Sequence, residues 1–178
     1  MEQESNTQKR AADCIYEALI RLMDEKPYHE ISITDISKRA GVSRMAYYRN
    51  YADKNEILLH RLRMYIYQME SVIKTKRDLS QGEFWKTLIQ WLYDSINEYI
   101  LKAGLFLQSF SILKDHLMRV YTALYGLKDD DSEQVLLIYQ KLGSILGHII
   151  YIREHKDEAD RECMMHRLKH MAEDGLLF

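Results

Sequence analysis

The segment Ile31–Lys54 constrains the fold more than any other part of the chain, because its cap and turn signals define two short helices. Ser32 and Asp35 have the S-x-x-D spacing of a capping box, which predicts a helix that starts at Ser32. Gly41 suits the positive φ that commonly ends a helix, and Ser43 can cap a second helix directly after it. The two helices are therefore predicted to meet at a tight turn.

The second helix, about Ser43–Tyr51, is predicted to have a buried side and an exposed side. Tyr47 and Tyr51 are four residues apart and are expected on the inner side. The side chains left for the outer side are those of Arg44, Met45, Tyr48 and Arg49. A D-x-x-E cap at Asp53–Glu56 then opens a third helix.

This segment resembles the amino-terminal domain of the TetR/AcrR family of bacterial transcriptional regulators. That domain reads roughly T-x-x-x-I-A-x-x-A-G-V-S, followed by an aromatic-rich recognition helix and then K-x-x-L. The matching residues here are Ser32, Ile36, Ala40-Gly41-Val42-Ser43, Tyr47-Tyr48, Tyr51, Lys54 and Ile57-Leu58. Met45 stands where the family commonly has a small residue, and Ala46 stands where it commonly has a hydroxyl residue. The resemblance covers about the first third of the chain and implies a DNA-binding helix-turn-helix.

Basic residues are concentrated in this part of a chain that is acidic overall. From Ile36 to Arg63 there are seven Lys and Arg against Asp53 and Glu56, a local net charge of +5, whereas the whole chain carries −2. Such a concentration is expected of a surface that meets DNA phosphates. For four of these residues an ordinary solvated helix charge is an equally good explanation: Lys38, Arg39, Arg61 and Arg63.

The resemblance implies roles for the residues that would face DNA. Arg44 is the best candidate for contacting a guanine edge, and Met45 or Ala46 can touch a thymine methyl group. Most of the others, among them Tyr48 and Lys54, are assigned to phosphates, where they set the register. The predicted DNA-binding residues are Ser32, Thr34, Ser43, Arg44, Met45, Ala46, Tyr48, Arg49, Asn50 and Lys54.

Few helix breakers interrupt the chain. Pro27 is the only proline and there are seven glycines in 178 residues, so an all-α fold is predicted. We expect a three-helix DNA-binding domain at 1–53, a connecting helix at 54–77 and a helical regulatory and dimerisation domain at 78–178. Outside the segment above, the predicted elements are a first helix ending near Pro27, helices at 54–77, 84–99, 105–114, 116–125, 132–155 and 157–172, and a loop at 78–82.

The predicted helix Ser132–His155 is apolar on most of its circumference. One stripe makes a complete core face: Val135, Ile138, Tyr139, Leu142, Ile145, Leu146 and Ile149. Apolar residues beyond this stripe favour a second packing partner. TetR-like proteins usually dimerise through their last two long helices, so the resemblance implies a homodimer, although a monomer with a thick core is an alternative. The predicted interface residues are Leu136, Gly143, Gly147, Ile150 and Tyr151.

The resemblance also implies a small-molecule effector in the carboxy-terminal region. Aromatic walls with a few hydroxyl groups suit a flat or amphipathic organic ligand. Ordinary core packing is nevertheless the simpler explanation for any one of these residues. No cofactor is expected, and the identity of an inducer does not follow from the sequence. The candidate ligand-binding residues are Trp91, Ser95, Tyr99, Phe106, Phe110, Tyr121 and Tyr139.

Other classes of function have little support in the sequence. It contains no Gly-rich phosphate loop, no H-E-x-x-H and no G-x-S-x-G, so no enzyme is predicted. Cys163, His166 and His170 share a helical face, but three ligands on one straight helix rarely complete a zinc shell. Met1–Thr7 lacks the basic and apolar regions of a signal peptide, and no run of about 18 apolar residues occurs. We therefore expect a cytoplasmic protein without a metal site.

Together these patterns predict a homodimeric, all-α transcriptional regulator that binds a near-palindromic operator in double-stranded DNA. A ligand-responsive repressor is the first interpretation. The alternative is a ligand-blind activator or architectural DNA-binding protein controlled by a protein partner. An enzyme that carries an incidental helix-turn-helix is a more distant alternative.

Overall fold

The computed structural model describes residues 2–75, 79–95, 98–126, 132–155 and 157–173. Within these ranges it is helical, without a strand, so the predicted all-α fold is confirmed. A 3-10 turn, Tyr28–Glu30, follows the first helix. The α-helices are α1 (Glu2–Glu25), α2 (Ile33–Ala40), α3 (Arg44–Tyr48), α4 (Lys54–Thr75), α5 (Gln81–Ser95), α6 (Glu98–Lys102), α7 (Phe106–Tyr125), α8 (Ser132–His155) and α9 (Glu158–Glu173).

The chain forms two compact units, which differ from the three segments expected from the sequence. The first unit comprises Met1–Arg63 and Glu98–Ser109, and the second comprises Met64–Asn97 and Phe110–Phe178. The short stretch around α6 joins the first unit because the Tyr99 hydroxyl donates to the Asp24 carboxylate at 3.1 Å. No local sequence pattern signals this assignment, since the two residues are 75 positions apart.

The core of the first unit is formed by one face of α1 and the inner sides of α2, α3 and α4. Burying each Leu or Ile side chain contributes about 1.5–3 kcal/mol, so this apolar face is what holds the short helices in place. Ile31 and Ile36, which have the spacing of a hydrophobic staple, are both buried. The other buried apolar residues are Ile15, Ala18, Leu19, Leu22, Met23, Tyr47, Tyr51, Ile57, Leu58, Leu62, Ile100 and Leu105.

In the second unit α5 packs extensively on α9, and α8 packs on both. The buried face of α8 consists of Ile138, Leu142, Ile145, Leu146, Ile149 and Ile152. Two residues of the predicted core stripe lie at its edge instead, since Val135 is half-buried and Tyr139 is 38% exposed. Ile152 extends the buried face at its far end, and the ring of Tyr139 at the edge of this face contacts Phe110 of α7.

Three boundaries predicted outside the segment Ile31–Lys54 were wrong. The helices expected at 105–114 and 116–125 are one helix, α7, because no glycine or proline interrupts it and His116 is buried within it. A loop was expected at 78–82, but α5 already begins at Gln81, because Ser80 and Glu83 form a capping box. Residue 78 lies outside the described part of the chain. The helix expected at 84–99 ends at Ser95, and Tyr99 belongs to α6.

One helix of the described chain is long and apolar enough to cross a membrane by length and composition alone. The window is Ser132–Glu154 in α8, of which 33% is buried within the chain itself. Core helices that pack on neighbouring helices commonly meet the same criterion, and α8 packs on α5 and α9. This feature therefore gives no indication of a membrane protein.

The first testable prediction concerns the turn between α2 and α3. Gly41 has φ +67°, and a Cβ placed there would meet no atom of the surrounding residues within 4 Å, so the expected loss comes from the left-handed backbone conformation. We expect Gly41→Val to lower the free energy of unfolding by about 1–2 kcal/mol, measured by urea denaturation. The control Gly41→Asn should lose less, because Asn tolerates the left-handed region. Equal losses for the two variants would show that φ is not the cause.

Candidate nucleic-acid interface

The capping box predicted at the start of α2 is present. Ser32 Oγ accepts from the Asp35 amide at 3.1 Å, and Asp35 Oδ2 accepts from the Ser32 amide at 3.0 Å. Lys26 Nζ lies 2.9 Å from the same carboxylate and ties the end of α1 to α2. The hydrogen bond from the Ser32 amide, with that from Lys26, holds the pKa of Asp35 well below its usual range.

The turn between α2 and α3 has the geometry that the sequence predicted. Gly41 adopts the left-handed conformation, and the Val42 amide donates to the Ser37 carbonyl at 3.0 Å. Ser43 Oγ then accepts from the Ala46 amide at 3.1 Å, which caps α3. As a result, only three residues, 41 to 43, separate the end of α2 from the start of α3.

The predicted inner side of α3 is buried and the predicted outer side is exposed. Tyr47 and Tyr51 are buried, with ring centroids 6.3 Å apart. The outer side carries Arg44, Met45, Tyr48 and Arg49, all exposed, with Met45 at 75% and Tyr48 at 50%. The helix ends at Tyr48, earlier than Tyr51, because the Asn50 side chain donates to the Ala46 carbonyl at 2.7 Å and the Asn50 amide turns back to Tyr47.

The structure brings the ten predicted DNA-binding residues to α2, α3 and the start of α4. Seven are exposed, and Ala46, Asn50 and Lys54 are half-buried. The hydroxyl groups of Ser32 and Ser43 already cap helices, so they serve the fold whatever else they contact. Contacts of these residues with bases or phosphates stay predictions.

Lys54 is held inside the unit more firmly than its predicted phosphate role requires. Its Nζ donates to the carbonyls of Tyr28 at 2.7 Å and Ile31 at 2.9 Å, and lies 3.5 Å from that of His29. The same amine stands 4.4 Å from the centroid of the Tyr28 ring. Burial, with the charge of Lys26 as a smaller cause, lowers the pKa of Lys54.

These features are those of a helix-turn-helix, and residues 15–60 match the family described as bacterial regulatory proteins, tetR family. The amino-terminal part of the chain is therefore similar to the DNA-binding domain of the TetR family. It is 28% identical over 100 residues to the Transposon Tn10 TetC protein of Escherichia coli, covering 54% of this chain and 49% of that protein. It is 26% identical over 89 residues to the HTH-type transcriptional regulator EthR of Mycobacterium tuberculosis, covering 47% of this chain and 41% of that protein. The match thus spans about half the length of these relatives.

Several basic residues of this TetR-like domain have acidic partners that the count over Ile36–Arg63 left out. Arg39 forms two 2.7 Å hydrogen bonds with Glu25, and Arg61 lies 3.3 Å from Asp13; both acids are on α1. Arg63 pairs with Glu56 on α4 itself at 3.2 Å. For these three arginines the interpretation as structural helix charges is favoured. No sequence signal identifies the partners of Arg39 and Arg61, because they are 14 and 48 residues away.

The predicted effector residues are distributed over both units of the chain. Tyr99 and Phe106 belong to the first unit; the second contains Trp91, Phe110, Tyr121 and Tyr139, and the Ser95 side chain lies outside the described part. Tyr121 is core, since it is buried among the rings of Phe84, Trp85 and Tyr125. Phe110 and Tyr139 contact each other at a ring distance of 6.3 Å.

Two clefts in the described part of the chain lie away from these residues. One of about 770 Å³ in the second unit is lined by Gln90, Tyr93, Arg161, Glu162, Met165, His166 and Lys169. Another of about 540 Å³ in the first unit is lined by residues 23–29 and 102–104. None of the seven predicted effector residues lines either cleft.

The predicted interface residues of α8 lie on its exposed side or at the edge of that side. Leu136 is 58% exposed, Tyr151 is 48% exposed, and Ile150 is half-buried. Gly143 and Gly147 are exposed, and a Cβ on either would meet no atom within 4 Å.

The three residues of α9 that the sequence analysis considered as metal ligands and rejected are exposed: Cys163, His166 and His170. The two imidazole rings are 4.7 Å apart. Among the described residues, no three His, Cys, Asp or Glu are grouped so as to hold a metal ion.

The second prediction concerns the pH dependence of stability. Because the folded-state pKa of Asp35 is depressed below its unfolded value of about 3.9, the stabilisation by its hydrogen bonds is present above about pH 4 and is lost as the pH falls further. Asp35→Asn should therefore flatten the acid limb of a plot of unfolding free energy against pH, measured by urea denaturation. The control Glu17→Gln, an exposed i,i+4 partner of Arg21, should leave that limb as in the parent. An unchanged limb in Asp35→Asn would contradict the assignment.

Proposed function

We propose that this chain is a sequence-specific DNA-binding transcriptional regulator of the TetR family. The observation that carries the proposal is α3, a short capped helix whose inner tyrosines are buried while Arg44, Met45 and Tyr48 project outward. A helix presented in this way fits the major groove of B-DNA. EthR, which is similar over 89 residues, is named an HTH-type transcriptional regulator.

In this function α3 reads the bases and its surroundings hold the backbone. Arg44 contacts a guanine edge by two hydrogen bonds, and the exposed thioether of Met45, or the methyl group of Ala46, touches a thymine methyl group. Thr34 in the first turn of α2 and Tyr48 on α3 contact phosphates, which fixes the register without specifying sequence. Arg39, Arg61 and Arg63 are engaged in ion pairs, so Arg44 of α3 supplies a larger share of the charge that can meet DNA.

The regulator acts as a homodimer on a near-palindromic operator. Support comes from α8, whose outer side exposes Leu136, Leu137 and Tyr151 together with two glycines that would allow close approach of another helix. Two α3 helices related by a two-fold axis would then enter major grooves one helical turn apart, or a multiple of it. DNA as the ligand also places the protein in the cytoplasm.

The first regulatory scheme is repression relieved by a small molecule. An effector that binds better to a state with differently spaced α3 helices would weaken DNA binding by that difference in affinity. The second scheme is a ligand-blind activator or architectural protein, and one observation favours it: the predicted effector residues are divided between the two units. Operator binding measured with organic ligands and with candidate partner proteins distinguishes the two schemes.

The third prediction tests base recognition. With a duplex selected by the parent chain from a random-sequence pool, Arg44→Ala should lose about 1–3 kcal/mol of binding free energy and relax the preference at one base pair. Fluorescence anisotropy against a set of single-base variants measures both effects. Arg21→Ala removes an exposed charge from α1 and should leave the base preference intact. If Arg44→Ala keeps the parent's preference at every position, Arg44 does not read a base.

The fourth prediction tests the dimer. Gly147→Glu places bulk and an unpaired charge on the exposed side of α8, so sedimentation should show a folded monomer or an aggregate where the parent is a dimer. The matched control Gln68→Glu adds the same charge to the exposed side of α4 and should remain dimeric. A Gly147→Glu protein that stays dimeric with unchanged affinity would place the interface elsewhere.

A further inference from the structure

The segment that carries α2 and α3 is closed into a loop by side-chain contacts between its two ends. It starts after the 3-10 turn Tyr28–Glu30, where Ile31 directly precedes the cap residue Ser32. It finishes at Lys54, the first residue of α4. Lys54 Nζ donates to the Ile31 carbonyl at 2.9 Å, so the two ends are bonded to each other.

Tyr28 strengthens this closure in two ways. Its carbonyl accepts from Lys54 Nζ at 2.7 Å, and the face of its ring lies 4.4 Å from the same ammonium group. Its hydroxyl donates to Asn55 Oδ1 at 2.6 Å, so the turn is also attached to the second residue of α4. We call Tyr28, Ile31, Lys54 and Asn55 the closing cluster.

The ammonium group of Lys54 has few donors to spare for another partner. A lysine has three N–H donors. Two are directed to the carbonyls of Tyr28 and Ile31, the His29 carbonyl lies 3.5 Å away, and the aromatic ring covers a further side. Each carbonyl oxygen is a hydrogen-bond acceptor with partial negative charge, so the ammonium group is stabilised there without any phosphate.

We propose that Lys54 is a positioning residue of the DNA-binding unit: by closing the loop Ile31–Lys54 it fixes α3 relative to the start of α2, and it does not itself contact phosphate. The proposal rests on the proposed DNA-binding function. It replaces the phosphate role that the sequence predicted for Lys54. A helix of five residues has little stability by itself, so the pose of α3 depends on how its two flanking segments are held.

The test compares Lys54→Met with Lys38→Met, a matched loss of charge at an exposed lysine of α2. Affinity for the duplex selected by the parent is measured over a range of salt concentrations, and amide hydrogen exchange is measured in the free protein. We expect Lys54→Met to bind about tenfold more weakly with the parent's dependence of log K on log salt. In the free protein, the amides of Ile31 and Asp35 should exchange faster in Lys54→Met and at the parent rate in Lys38→Met.

Two further variants complete the test. Tyr28→Phe keeps the ring face and every charge but removes the bond to Asn55, so it should weaken binding in the same sense and accelerate exchange at Ile31. Lys54→Arg should restore much of the affinity and the slow exchange, since it can donate to the same carbonyls. If Lys54→Met fails to fold by circular dichroism, Tyr28→Phe decides the outcome.

The proposal is overturned if Lys54→Met lowers the salt slope by about 0.9 and leaves amide exchange unchanged, the result expected of a phosphate contact. It is equally overturned if Tyr28→Phe has the parent's affinity and exchange rates. Failure of the parent to bind any selected duplex would overturn the proposed function and this proposal with it. The exchange rates of the free proteins separate that result from a wrong assignment of the closing cluster alone.

Discussion

The orientation of α3 depends on the burial of Tyr47. A five-residue helix is too short to be stable alone, so packing must hold it. Burying a tyrosine ring contributes roughly 4–6 kcal/mol at most. The Tyr47 hydroxyl is buried without a hydrogen-bond partner among the described residues, which costs about 1–3 kcal/mol. Burial therefore wins, and with Tyr47 inside, the side chains of Arg44, Met45 and Tyr48 are turned to solvent.

Electrostatics in the first unit separates basic residues that hold the fold from basic residues that can meet DNA. The acids Asp13 and Glu25 of α1 engage Arg61 and Arg39, and backbone carbonyls engage Lys54. Exposed ion pairs of this kind contribute little stability each. They nevertheless pair the same arginines that a net-charge count along the sequence treats as available to DNA. The charge that remains outward on α3 carries a correspondingly larger share of recognition.

The second unit divides its apolar residues between a core and an exposed helix face. Rings of Phe84, Trp85, Tyr121 and Tyr125 pack edge to face beside the α5, α8 and α9 core, which explains them without a ligand. On the outer side of α8, by contrast, Leu136 is exposed, and among the described residues nothing lies within 4 Å of a Cβ added at Gly143 or Gly147. Packing thus accounts for part of the predicted effector set and leaves the predicted dimer face available.

The sequence by itself determined the local geometry of the first unit. The two helix caps, at Ser32 with Asp35 and at Ser43, use hydrogen bonds that span three residues, and the turn at Gly41 uses one that spans five. Because these bonds are local, the spacing of the residues alone predicted both helix starts and the turn. Tertiary structure decided the features that depend on distant partners. These are the ion pairs of Arg39 and Arg61 with acids of α1, the hydrogen bonds of Lys54 to the Tyr28 and Ile31 carbonyls, and the placement of α6 in the first unit. Those partners are separated by 14 to 75 residues, and no periodicity or cap pattern encodes a contact across such a distance.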